Sequence, residues 1–134
     1  MARYLVLLRG DQAVWDAWDD DATERNGAQH RDLARLAPAR GHVIVGGEEL
    51  THAHRALVVR RNGTVTRTPG GTVSDGPYTE LVEQVGGFYL VDTDDVQDLA
   101  RLLAETLSEG VEIRGFVDHT ADTPPSTAGA TAEA

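Results

Sequence analysis

The order of apolar runs along this chain predicts an α+β fold, a ferredoxin-like βαββαβ layout with an inserted β-hairpin. Three observations carry it. Short apolar runs at 4–8, 42–45, 88–91 and 111–117 read as strands, two longer stretches between them repeat apolar residues at helical period, and Asn62-Gly63 joins two β-prone runs as a hairpin. Two helices cover only one face of such a sheet, so the opposite face needs a partner, and a homodimer is the expected answer.

Each element has its own warrant. Tyr4 to Leu8 is uninterrupted apolar sequence bounded by Arg3 and Arg9, as in a central strand, and Gly10-Asp11 ends it. Trp15 and Trp18, three apart, predict a helical turn whose aromatic side covers the next helix. Asp19-Asp20-Asp21 reads as a solvated acidic patch, since it lacks the glycine and the distal Glu of a calcium loop. Residues 23–40 predict the first long helix, with Thr23 as its cap and His30, Leu33, Ala34 and Ala37 along one face. Pro38 and Gly41 suit its end. The strand at 42–45 closes on Gly46-Gly47, where a neighbouring segment or a ligand has room to approach.

Residues 55–60 and 64–68 form the hairpin arms. Asp92-Thr93-Asp94-Asp95 places capping side chains ahead of Val96, Leu99, Ala100, Leu103 and Leu107, which recur at helical period until Gly110. Val111, Ile113 and Val117 alternate in a last strand, with Gly115 breaking the inward set. Beyond Asp118 the composition turns to Thr, Ala and Pro, so 1–117 is expected as the folded domain and 118–134 as a disordered tail.

The densest stretch runs from Ser74 to Asp92. Asp75 accepts backbone N–H bonds, Gly76 permits a positive φ and Pro77 fixes φ, so the chain reverses there. Glu80 and Glu83 follow, three apart, which fits either an acid/base pair or two solvated carboxylates on a surface helical turn. Gly86-Gly87 then leads into Phe88-Tyr89-Leu90-Val91. Tyr89 there reads as a core aromatic with a polar tip.

Bulk properties narrow the chemistry. A formal net charge of −10 argues against nucleic acid, whose phosphates call for a basic face, and leaves a cationic or neutral small molecule as the easier partner. Cysteine is absent, which removes disulfides, thiolate chemistry and Cys-based metal sites, and the lack of any lysine removes Schiff-base chemistry. Ser74, Ser108 and Ser126 stand in no Gly-x-Ser-x-Gly setting, and no Gly-x-Gly-x-x-Gly opens a helix after a strand.

His52 and His54 share one side of an extended chain and, with His42 or Glu48, form a conceivable divalent-metal set. That spacing is common by chance and lacks a supporting carboxylate, so neither metal nor cofactor is expected. The opening apolar run is too short for a signal peptide or a membrane span, and the protein is expected in the cytoplasm, away from membranes.

Val45-Gly46-Gly47-Glu48, Asp75-Gly76-Pro77-Tyr78 and Gly86-Gly87-Phe88-Tyr89, in that order, resemble the DGPF subgroup of the YCII-related family, from Arg3-Tyr4-Leu5 to about Val117. Tyr78 stands where that family usually has Phe, and Val82 where Lys is common. The resemblance implies a dimeric α/β barrel and a catalytic histidine in the first helix, here His30, paired with an Asp later in the chain. No Asp lies in Leu107-Ser108-Glu109-Gly110, where that partner is looked for, and Asp75 is taken as the carboxylate that orients His30. A plainer reading makes His30 a satisfied histidine at the edge of the core. Glu48, Glu83, Gly47, Tyr78 and Tyr89 complete the expected substrate-binding set. The expected function is a small dimeric lyase or hydrolase acting on a small polar molecule. The alternative is a noncatalytic small-molecule-binding or regulatory module associated with a sigma factor.

Overall fold

A computed structural model describes residues 1–67 and 83–120. Among them the order is strand β1 (Ala2–Asp11), a short helix α1 (Gln12–Asp16), a long helix α2 (Asp20–Leu36), strand β2 (Val43–Glu49), hairpin strands β3 (Leu57–Val59) and β4 (Val65–Arg67), strand β5 (Glu83–Thr93), helix α3 (Val96–Thr106) and strand β6 (Gly110–Gly115). Strands β2, β5, β1 and β6 form, in that order, one antiparallel sheet, while β3 and β4 pair only with each other. This is the α+β class read from the sequence, with a strand order compatible with a ferredoxin-like layout.

The core lies between the sheet and helices α2 and α3. Alternation along β1 turns Val6 and Leu8 inward, and β5 adds Val91. Leu33 and Ala37 come from the α2 end, while α3 supplies Leu99, Leu102 and Leu103, followed by Leu107. Each fully buried leucine contributes about 1.5–3 kcal/mol of transfer free energy. Ala34, expected on the inward face, is exposed, and Leu36 packs against the core instead.

Several expected boundaries are corrected, each by backbone chemistry. Asp19, part of the exposed acidic patch, caps α2 by accepting the Ala22 N–H at 2.8 Å, so the helix starts ahead of Thr23. It stops at Leu36; Pro38–Arg40 is a separate 3-10 turn, and Gly41 sits at φ 85° where a side chain would be strained. Strand β2 starts one residue after His42 and continues through Gly46, Gly47 and Glu48 to Glu49. Strand β5 starts at Glu83, so Glu83 lies in a strand rather than a helical turn, and Gly86-Gly87 is inside the sheet. The last strand ends at Gly115, leaving Val117 exposed beyond it.

Those glycines are steric requirements of the sheet. A Cβ on Gly47 would come within 2.7 Å of the Phe88 carbonyl and 2.8 Å of the Tyr89 ring, and one on Gly87 within 2.9 Å of the Glu48 carbonyl. Trp15 is seated against the sheet. Its indole lies on Gly10 and Gly86, where added Cβ atoms would stand 2.5 and 2.8 Å from the ring.

Candidate functional site

A cleft of about 760 Å³ opens beside α2 and the β2–β5 pair, and Trp15, Trp18, Glu48, His30, Tyr89 and Glu109 are among the side chains on its wall. Helix α2 projects His30 there from the turn before Leu33. Register sets Tyr89 opposite both Val6 of β1 and Gly47 of β2, and the bare Gly47 backbone makes room for the phenol ring. Glu109 stands immediately before β6, in a segment fixed to α2 because Gln29 Oε1 accepts both the Ser108 N–H at 3.2 Å and its hydroxyl at 3.0 Å.

These three side chains form a chain of hydrogen bonds. His30 Nε2 lies 3.0 and 3.2 Å from the two Glu109 oxygens, and His30 Nδ1 lies 2.6 Å from the Tyr89 hydroxyl. An ionised carboxylate only accepts, so a neutral ring carries its proton on Nε2 and Nδ1 accepts from the phenol. The His30 and Glu109 side chains keep 20% and 11% of their surface open.

Burial pushes the Glu109 carboxyl up, but the His30 hydrogen bond and charge outweigh it, together with the Asn26 amide and its own backbone N–H. The net result is a carboxyl below its ordinary range. Asn26 Nδ2 is itself shielded from water and meets no partner in regular hydrogen-bond geometry, so the amide leans on Glu109 without closing a full bond. Burial, reinforced by the Glu109 charge, raises Tyr89, which keeps the phenol protonated and able to donate.

A second histidine has a similar set of partners and no access. His42 is 0% exposed; its Nδ1 lies 2.7 Å from Thr93 Oγ1 and its Nε2 2.7 Å from Asp98 Oδ2. Arg40 and then His42 hold the Asp98 carboxyl well below the usual range. Hydroxyl, imidazole and carboxylate follow one another as in a nucleophilic triad, yet Thr93 is buried as well and no substrate reaches it. The cluster fastens α3 to the sheet.

The other expected residues divide. Gly47 and Glu48 line the cleft with His30 and Tyr89. Glu83 does not; it is exposed and lies 3.4 Å from Arg9 Nη2. Asp75, Tyr78 and Glu80 lie outside the described residues. The carboxylate at His30 is Glu109, where the resemblance implies an Asp before the last strand. His42 is too deeply enclosed to join His52 and His54. His52 turns its Nε2 to Asp16 at 3.0 Å, and among the described residues no group of three potential ligands is arranged to hold a metal. No helix among the described residues is long and apolar enough to cross a membrane.

No family model matches the chain. It is 36% identical over 105 residues to a protein described as Uncharacterized protein R00369, of Rhizobium meliloti (strain 1021), an alignment covering 75% of this chain and 79% of that protein. With that identity and coverage, the chain belongs to the same family as R00369.

Proposed function

We propose that the cleft is a small active site in which Tyr89, His30 and Glu109 move a proton to and from a small polar molecule, as a lyase or hydrolase requires. One observation carries the reading: a histidine on the wall of a cleft, engaged by a carboxylate on one nitrogen and a phenol on the other. A proton delivered by substrate to Tyr89 Oη passes the phenolic proton on to His30 Nδ1. The imidazolium so formed keeps its Nε2–H on Glu109, whose charge balances it. The reverse transfer returns a proton to a leaving group.

The resemblance to the DGPF subgroup of the YCII-related family supports the same assignment. It implies a histidine in the first helix and an Asp ahead of the last strand; this chain has no Asp there, and the carboxylate that directly precedes β6 is Glu109. The test is a turnover screen of small hydroxylated, halogenated and lactone compounds, followed by His30→Asn and Glu109→Gln. Loss of a positioned acid/base is expected to lower turnover about 100-fold or more, with the fold retained in H30N by circular dichroism. Turnover unchanged in H30N would remove the imidazole from the mechanism.

A noncatalytic small-molecule-binding or regulatory module, associated with a sigma factor, is the second reading. The closed network favours it, because neither nitrogen of His30 is left free for a ligand. Its mark is a ligand that raises the melting temperature and is recovered unchanged.

We further propose that the sheet face turned away from the helices pairs with a second copy, giving the dimeric α/β barrel. Leu5 and Leu90, opposite each other in register, lie with Leu7 on that face. Two ion pairs flank them, Arg3 with Asp92 at 2.8 Å and Arg9 with Glu112 at 2.7 Å. An apolar centre with a charged rim is the usual anatomy of an interface between copies.

A further inference from the structure

The cleft carries an electrostatic signature that the proton relay does not explain. Four acidic residues, Asp16, Glu48, Glu49 and Glu109, are on its wall, where the basic ones among the described side chains are His30 and His52; alternation along β2 turns Glu49 to the side of Gly47 and Tyr89, and Glu48, opposite Phe88, to the other. Glu109 is matched by His30, and Asp16 accepts from Gln12 at 3.0 Å and faces His52 at 3.0 Å. Glu48 and Glu49 have no ion pair among the described residues. Of the 12 arginines, which are the only permanent side-chain cations, none whose side chain is described lines the cleft. Residues 68–82 and 121–134 contain no Arg, Lys or His, so neither segment carries a positive charge to offset these carboxylates.

Two half-buried indoles, Trp15 and Trp18, are also on the wall of the cleft. Trp15 is held in place because Gly10 and Gly86 leave room for its ring against the sheet. Negative charge without a resident counter-ion, beside electron-rich rings, is the chemistry that receives a positive nitrogen; a carboxylate or phosphate ligand would meet repulsion and no guanidinium fork. We infer that the cleft takes a small organic cation, an ammonium group on a compact apolar body. The nitrogen sits between the indoles and Glu49, at the end of β2. The inference rests on the reading of this cleft as the working site, and it names the class of molecule that the relay would act on.

Three probes sharing one ring isolate charge: benzylamine, benzyl alcohol and benzoate, titrated calorimetrically into the full chain at pH 7. Benzylamine is expected to bind about tenfold tighter than the alcohol, the equivalent of ~1.4 kcal/mol, with benzoate weakest. In the double variant Glu48→Gln, Glu49→Gln that preference should collapse to about twofold while the alcohol binds as before. Benzyl alcohol or benzoate binding as tightly as benzylamine, or no binding by benzylamine, overturns the inference, as does a preference that survives the double variant. None of these probes reacts, so the outcome is independent of turnover. Repeating the titration with His30→Asn separates the two readings: an amine preference kept in H30N supports the cation site, whether or not that variant turns over substrate, and a preference lost there overturns it.

Discussion

At the scale of single residues, His30 and His42 differ in the use of similar partners. Each imidazole is held between a hydroxyl and a carboxylate, but His30 opens on a cleft and His42 is sealed. For the first, pH is the probe. Glu109 is held below its ordinary value of 4.5 in the folded protein, so its contribution to stability is complete above that value and is lost as pH falls through the lower, folded value. Glu109→Gln should therefore cost about 1–3 kcal/mol at pH 7 and flatten the dependence of melting temperature on pH below about 5. Melting curves of variant and parent that run parallel through that range would show that the carboxylate is not stabilised by His30. For the second, Thr93→Val keeps the shape and leaves His42 Nδ1 without its partner in a fully enclosed position. Urea unfolding should report a loss of about 1–3 kcal/mol, with no change in ligand binding at the cleft. In the sequence, His30 was legible as a candidate because it shares a helical face with Leu33 and Ala37. Its acidic partner was not. Glu109 comes 79 residues later, in a short connection whose proximity to α2 depends on strand order, and a carboxylate carries no mark of what it faces.

Among the elements, the hairpin at Asn62-Gly63 and the helix beginning after Asp95 were legible because each announces itself locally, one by turn chemistry and the other by a cap and an apolar period. Strands β2 and β5 run longer than their apolar residues predict, for one shared reason. Glycine and glutamate count against a strand by propensity, yet here they extend the ladder: Glu48 pairs with Phe88 and Glu49 with Gly87, and side chains at 47 and 87 would strike the neighbouring backbone. The seat of Trp15 carries no local signal either, since its support is two glycines on different strands. Gly86→Ala tests that packing. Its new Cβ would stand 2.8 Å from the indole, so the ring must leave. The expected result is a red shift in tryptophan emission and a stability loss of about 1–3 kcal/mol, much of it recovered when Trp15→Leu is added. An additive double variant, with no recovery, would mean that ring and glycine do not in fact compete for one space.

For the molecule as a whole, the open question raised by the fold is what covers the second face of the sheet. Helices α2 and α3 bury the side of Val6, Leu8 and Val91, while alternation turns Leu5, Leu7 and Leu90 the other way. A sheet left half-covered in water keeps much of its apolar area exposed, and a second copy presenting the same strip removes that area by two-fold symmetry. The chain has a mass of 14.4 kDa, so sedimentation at micromolar concentration should report a species of twice that mass. In the proposed pair, Leu7→Arg would set a guanidinium at the centre of the strip, next to its own symmetry mate across the two-fold axis. That charge would have to be desolvated without a partner, and the expected result is a folded monomer with unchanged helical circular dichroism. Because Leu7 faces away from the cleft, the cation preference of that monomer should match the parent's. A parent that sediments at 14.4 kDa, or an L7R protein that still sediments as a pair, would show that this face is not where copies meet.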